Sequence, residues 1–206
     1  MKNGYFITFE GGEGSGKTTQ MEKVKSYLKN KKNYEVVIIR EPGSTEISEK
    51  IRDILLDKKY HKVLNPKTEL FLYLAARTQL YHEKIKPLLK DGKIILCDRF
   101  YDATLAYQGY ARELGIEKTF KFNLWALDNF KPDITFLLLL DPEIGLKRES
   151  DKDRFNMEGL NFHEKVNQGY RIIADKFSER INKIIVGDKK PEIIFKRIKR
   201  ILDKKL

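Results

Sequence analysis

The chain has 206 residues, 41% hydrophobic and 34% charged, which suits one α/β domain spanning residues 1–206 with a buried core and a charged surface. Its net charge of +11 is spread along the chain, with no recognition helix, RNP-like strand or aromatic-interleaved basic run, so anionic small substrates are expected and no nucleic acid. The single cysteine, Cys97, excludes an internal disulfide, and His61, His82 and His163 lack metal-ligand spacing.

The first β-rich run is Tyr5–Phe9. It ends at Glu10 without a long apolar extension, so it does not read as a signal peptide. Gly11-Gly12-Glu13-Gly14-Ser15-Gly16-Lys17-Thr18 follows and opens a helix over Thr18–Asn30. A second strand, Val36–Ile39, leads into Arg40-Glu41-Pro42-Gly43 and a helix over Ile47–Leu56. Helical spacing then runs from Thr68 to Lys90. The third strand, Ile94–Cys97, ends in Asp98-Arg99-Phe100. Helical stretches at Thr104–Tyr110 and Lys118–Asn129 precede a fourth strand, Ile134–Leu140. The polar segment 147–155 comes next, then a helix over Asn161–Arg180 and a fifth strand, Lys183–Val186. In the tail Lys196–Lys205, the residues Ile198, Ile201 and Leu202 form one apolar stripe, as in a capping helix. The most apolar run, Phe136–Leu140, is far short of the ~20 residues a membrane span needs. No membrane is expected, and the expected setting is a reducing cytoplasm.

Strands alternating with helices predict parallel βαβ units. The expected architecture has three layers: a five-stranded parallel sheet with helices on both faces. In such sheets ligands bind at the carboxyl ends of the strands, so chemistry should follow each strand.

The run Gly11–Thr18 fits G-x-x-x-x-G-K-[ST] between a strand and a helix. Its glycines let successive N–H groups converge on phosphate oxygens, and the helix N-terminus adds a positive end. Lys17 reaches the β- and γ-phosphates of ATP, and the Thr18 hydroxyl suits Mg²⁺. After the third strand, Arg99 offers a planar fork for an acceptor phosphate, and Asp98 can orient it or hold a Mg²⁺-bound water. A purely structural Asp98–Arg99 pair is the alternative.

Phe9-Glu10-Gly11, Arg40-Glu41-Pro42-Gly43, Ala75-Ala76-Arg77, Asp98-Arg99-Phe100 and Ala106-Tyr107-Gln108-Gly109 occur in order. From about Tyr5 to Tyr170 the chain resembles the bacterial thymidylate kinases, P-loop enzymes that phosphorylate dTMP to dTDP with ATP and Mg²⁺. The resemblance implies that Tyr73 stacks on the thymine ring and Arg77 donates to a ring carbonyl. These two are four residues apart on one helix face; the alternative for Tyr73 is a core aromatic. It further implies that Thr104 and Gln108 lie near the base and Tyr107 near the sugar. Glu13 is placed near the acceptor's 3′-hydroxyl and Mg²⁺, and Pro42 shapes the acceptor-phosphate site, often through a cis bond. A homodimer is implied too. Two departures stand out: Gly43-Ser44 where Gly-Gly is common, and Ala103 where many relatives carry serine.

Family members divide by the source of a catalytic arginine. Gly14 occupies the loop position where one group has a basic residue. The resemblance therefore implies a three-layer P-loop NTPase fold with a short lid at about residues 147–160, from which Arg148 and Arg154, in the polar segment 147–155, supply the charge. An ordinary charged loop is the alternative. Lys17, Arg99, Arg148 and Arg154 are the expected catalytic residues. The rival readings are a kinase for another monophosphate, a nucleic-acid-stimulated P-loop ATPase, and a nucleotide-binding module without turnover.

Overall fold

The computed structural model describes residues 4–148 and 153–206, apart from the side chain of Lys31. Five strands form one sheet: β1 (Tyr5–Glu10), β2 (Val36–Arg40), β3 (Ile94–Asp98), β4 (Ile134–Leu139) and β5 (Ile181–Ile185). They lie in the order β2-β3-β1-β4-β5, and every pairing is parallel. The pleat sends alternate side chains to opposite faces. Phe6, Ile95, Cys97, Leu137 and Leu139 enter one apolar core, while Ile7, Phe9, Leu96, Phe136 and Leu138 enter the other. A strand buried on both faces must be apolar at nearly every position, as the fully buried β4 is.

The helices α1 (Lys17–Lys32) and α9 (Pro191–Lys205) cover the second core, where Ile194, Ile198 and Leu202 of α9 are buried. The capping-helix expectation for the tail is met, with the helix starting earlier, at Pro191. The first core lies under α3 (Pro66–Leu80), α8 (Leu160–Lys176) and the elements after β3. The helix α2 (Glu46–Leu56) is capped by the Thr45 side chain, which accepts from the Ser48 amide.

Two expected helices are interrupted by wider turns. The stretch 68–90 is α3, a π-helical turn at Tyr81–Ile85, and α4 (Lys86–Lys90). Pro87 lacks an N–H and crowds the preceding turn, so a local change of pitch ahead of it is expected. The stretch expected as a helix over 104–110 is α5 (Tyr101–Thr104) running into a π-helical segment, Leu105–Ala111. The helix α8 packs closely on that segment because Gly169 has no side chain: a Cβ there would lie 3.0 Å from the Tyr110 Cβ. The helix α6 (Ile116–Ala126) follows.

Sequence reasoning missed α7 (Pro142–Arg148), a short helix just after β4, and started β5 two residues too late. Ile181 is paired with Thr135 at the sheet edge, and the polar Asn182 and Lys183 hid the strand's start from a hydrophobicity reading. Of the expected lid, residues 149–152 lie outside the described residues. Residues Phe155–Glu158 form a short 3₁₀ turn before α8.

Candidate active site

The phosphate loop joins β1 to α1, as its sequence requires. Ser15 Oγ donates to Gly12 O at 2.9 Å, and Lys17 Nζ lies 3.1 Å from Gly12 O and 3.4 Å from Gly11 O. Gly14 has φ +61, and a Cβ on it would meet Gly145 O of α7 at 2.4 Å. A side chain at Gly14 is therefore blocked by α7, which explains why no basic residue stands there.

Beside the loop, β3 ends at Asp98, and Arg99 takes a left-handed φ of +65. Two bonds hold this strained turn: the Arg99 amide donates to Phe9 O at 3.0 Å, and the Phe100 amide to Glu10 Oε1 at 2.7 Å. The turn aims the guanidinium back over the loop. Nη1 donates to Gly11 O at 2.8 Å and to Tyr170 Oη at 3.3 Å, and Nη2 donates to Glu13 Oε1 at 2.8 Å. Glu13 Oε1 also accepts from Tyr107 Oη at 3.0 Å. Burial alone would raise the Glu13 pKa, but Arg99 and Lys17 override it and lower it to about 2. Conversely, burial pulls the Lys17 pKa down, and the neighbouring Arg99 adds to that. Beneath the loop, burial and Asp102 push the Glu10 carboxyl up to about 8.

A cleft of about 670 Å³ runs from this cluster to a second one. At the far end the walls are Tyr73, Arg77, Thr104 and Gln108. Arg77 is buried, with a protein partner on each nitrogen: Nε on Glu41 at 2.7–2.8 Å, Nη1 on Asn123 Oδ1 at 2.6 Å, Nη2 on Thr104 Oγ1 at 2.8 Å. Tyr73 is half-buried. It borders the cleft and also packs on the core, with its ring 6.4 Å from that of Phe155, so both sequence readings of this residue describe part of its position. The Glu41–Pro42 bond is cis. Ser44, at the departure from Gly-Gly, has φ +71 and offsets that strain by accepting from the Arg40 amide at 2.9 Å.

Thr18, Asp98, Pro42, Tyr107 and Ala103 also line the cleft, as do the loop residues 13–18. Arg148, the last residue of α7, reaches the same wall. Arg154 does not behave as expected. Its side chain is only 1% exposed and lies 2.7 Å from Glu69 Oε2, and its Nε donates to Leu55 O at 2.8 Å. A buried carboxylate captures the guanidinium, and in this structure it does not face the phosphate loop.

Three basic or acidic residues at the site escaped sequence reasoning. Arg40 was visible in its motif but carried no assigned role. Arg52, which donates to Pro42 O at 2.8 Å, belongs to no local pattern because α2 brings it to the cleft only in three dimensions, and Glu69 of α3 lies behind the cleft wall, accepting from Gln108 Nε2.

Among the described residues no group of three or more His, Cys, Asp or Glu side chains is arranged to hold a metal. Mg²⁺ in nucleotide kinases is typically held by few protein ligands together with substrate phosphates. The Asp98 Oδ1 atom is buried without a protein partner, and the exposed Thr18 lines the same cleft, a donor set that fits such an ion.

A phosphate loop between the first strand and helix, an acid–arginine pair ending the neighbouring strand, and a cleft for a second ligand define a P-loop nucleotide kinase. The sequence model described as thymidylate kinase matches residues 9–198. The thymidylate kinase of Bacillus licheniformis is 44% identical over 209 residues, covering 99% of this chain and 97% of that protein. That of Clostridium novyi is 45% identical over 189 residues, covering 89% and 91%. The crystal structure of thymidylate kinase from Ehrlichia chaffeensis superposes with a TM-score of 0.79 at 32% identity, covering 97% of this chain and 99% of that one. The chain belongs to the thymidylate kinase family.

Proposed function

We propose that this protein transfers the γ-phosphoryl group of ATP to dTMP, with the phosphate loop holding the donor and the Tyr73–Gln108 end of the cleft holding the acceptor base. The carrying observation is that one continuous cleft joins a cationic end, with Lys17 and Arg99, to an end walled by an aromatic ring and buried amide and hydroxyl groups.

The acceptor phosphate has a second pKa near ~6 and is largely a dianion at pH 7, so it needs no general base. An oxygen of that phosphate attacks the γ-phosphorus of ATP, the bond from the γ-phosphorus to the β–γ bridging oxygen breaks, and ADP leaves. The obstacle is repulsion between two polyanions. Lys17 on the donor and Arg99 between donor and acceptor lower it, and Arg148 adds charge at the rim of α7. Arg40 and Arg52 line the cleft beside Pro42 and complete the acceptor-phosphate site. Glu13, held by Arg99 and Tyr107, receives the sugar's 3′-hydroxyl, with Tyr107 against the sugar. Tyr73 stacks on thymine, Arg77 and Thr104 bracket its polar edge, and Gln108 meets the ring nitrogen. Mg²⁺ would be held by Thr18, with Asp98 or Glu13 reached through water, and when bound it neutralises phosphate charge.

The enzyme functions as a cytoplasmic homodimer. Among the described residues no helix is long and apolar enough to cross a membrane. An exposed apolar groove between α3 and α6, lined by Phe71, Phe122 and the 82%-exposed Trp125, supports self-association. Sedimentation at micromolar concentration checks this, and a monomer throughout would contradict it.

The deciding experiment is an ADP-release assay with Mg·ATP and each common nucleoside monophosphate. The highest kcat/KM is expected for dTMP. A higher value for AMP, GMP or CMP overturns the assignment, as does ATP hydrolysis stimulated by DNA or RNA and indifferent to dTMP.

A further inference from the structure

Glu69 lies in the first turn of α3 and is fully buried. It belongs to no motif. Two further residues of the same helix, Tyr73 and Arg77, reach the cleft. Glu69 Oε1 accepts from Gln108 Nε2 at 2.7 Å and from Arg112 Nε at 3.5 Å. Glu69 Oε2 meets Arg112 Nη2 at 3.4 Å and Arg154 Nη2 at 2.7 Å. The Arg154 approach is an ion-pair contact rather than an aligned hydrogen bond, since Nη2 has no hydrogen-bond partner. A carboxylate between two guanidinium groups accepts hydrogen bonds and donates none.

This has a consequence for Gln108. The two ends of a glutamine amide have nearly the same shape and opposite hydrogen-bonding character, and only the surroundings decide which end points where. An acceptor-only partner leaves one choice: the NH₂ faces Glu69. The carbonyl oxygen is then the end left for the cleft, which Gln108 lines beside Thr104 and Arg77. Arg77 is pinned in the same way, by Glu41, Asn123 and Thr104. The Asn123 amide is itself oriented, because its Nδ2 donates to Thr119 O at 2.8 Å.

We propose that Glu69 is a positioning residue that sets base specificity: by fixing the Gln108 amide, it makes the pocket present an acceptor and so read a ring N–H. Thymine and uracil carry that N–H in their imide. Cytosine carries an unprotonated nitrogen there, and two acceptors would face each other. Glu69 touches no substrate atom and acts through Gln108. The inference rests on the functional reading above. A site built to hydrogen-bond one group rejects an analogue lacking it by about 10⁴- to 10⁵-fold, far beyond what shape gives. A free amide would flip and accept either base.

The test is the ratio of kcat/KM for dTMP to that for dCMP. Both constants come from one preparation, so the fraction of folded enzyme cancels. Glu69→Gln offers Gln108 either a donor or an acceptor, and the ratio should fall at least ~10-fold, mostly through a gain with dCMP. In a Gln108→Met background the same change should leave the ratio unaltered, because the path to the base is gone; a purely structural role would act in both backgrounds. Gln108→Met alone, with Glu69 intact, should also lower the ratio and keeps the proposal testable if Glu69→Gln does not fold. A ratio within about twofold of wild type in Glu69→Gln, or in Gln108→Met, overturns the proposal. Wild-type enzyme inactive on dTMP would instead overturn the functional reading, and this inference with it.

Discussion

The two ends of the cleft are both rich in charge but are built differently. At the phosphate end the cations keep donors for a ligand. Lys17 rests on loop carbonyls, the Arg99 side chain is 18% exposed, and Arg148 stands at the rim. At the base end the cations are held by protein partners. Arg77 is 1% exposed and has a protein partner on each of its three nitrogens, and Arg154 is spent on Glu69 and Leu55. The difference follows from what each end must do. Phosphates differ little in shape, so the phosphate end needs positive charge that can adjust through a reaction. Thymine and cytosine have similar size and differ chiefly in the placement of donors and acceptors, so the base end needs groups that cannot turn.

The largest expected effect tests the phosphate end. Lys17→Met should lower kcat by about 10³-fold and leave the melting temperature within a few degrees of wild type, because the ammonium's work is on the ligand. Loss of fold with loss of activity would place Lys17 among the structural cations and blur the contrast.

Arg154 tests the other side. Its sequence position suggested an arginine acting on the transition state, whereas its burial makes it a partner of Glu69. Arg154→Ala should cost about 3 kcal/mol of stability by leaving a buried carboxylate short of charge. Below the melting transition, kcat should stay within about tenfold of wild type. A loss of 100-fold or more at unchanged stability would return it to catalysis, acting from another conformation.

Arg77→Lys keeps the charge and loses the fork. An ammonium cannot hold Glu41, Asn123 and Thr104 at once, so kcat/KM for dTMP should fall roughly 100-fold while the KM for ATP barely moves. Equal losses for both substrates would mean that the two ends are not independent. Tyr73→Ala removes one wall only, and should raise the dTMP KM about tenfold. An unchanged dTMP KM would leave Tyr73 with its packing role alone.

The remaining prediction concerns pH dependence, and it separates Glu10 beneath the loop from Glu13 within it. Glu10 is raised to about 8 when folded, so between about pH 4.5 and 8 the folded chain holds a proton that the unfolded chain has lost. That stability is complete below about 4.5 and disappears as pH rises through 8, with a slope of at most about 1.4 kcal/mol per pH unit. Glu13 is lowered to about 2, so its contribution is present above about 4.5 and fades only in strong acid. Denaturant titrations at pH 5.5 and 8.5 should show a decline in wild type that is flattened in Glu10→Gln. An equal decline in both proteins would assign the slope to other groups.

Much of this molecule follows from the sequence alone. Glycines and Lys-Thr at set spacing between a strand and a helix specify a phosphate loop, because local backbone geometry and a helix end suffice to build it. Apolar runs bounded by turn residues located all five strands, because strands buried on both faces tolerate little polarity. Motifs at strand ends marked Asp98, Arg99 and Pro42, since parallel topology delivers those ends to one edge. Tertiary structure decided the rest. The π-helical segment at Leu105–Ala111 changes which neighbours Thr104 and Gln108 meet, and no short-range periodicity foretells that pitch. Arg154 and Arg148 look alike in a polar stretch, yet one is drawn into the core and the other is left at the cleft. The choice belongs to Glu69, some eighty residues away in sequence, because a fully buried acidic side chain needs a guanidinium partner to offset its desolvation.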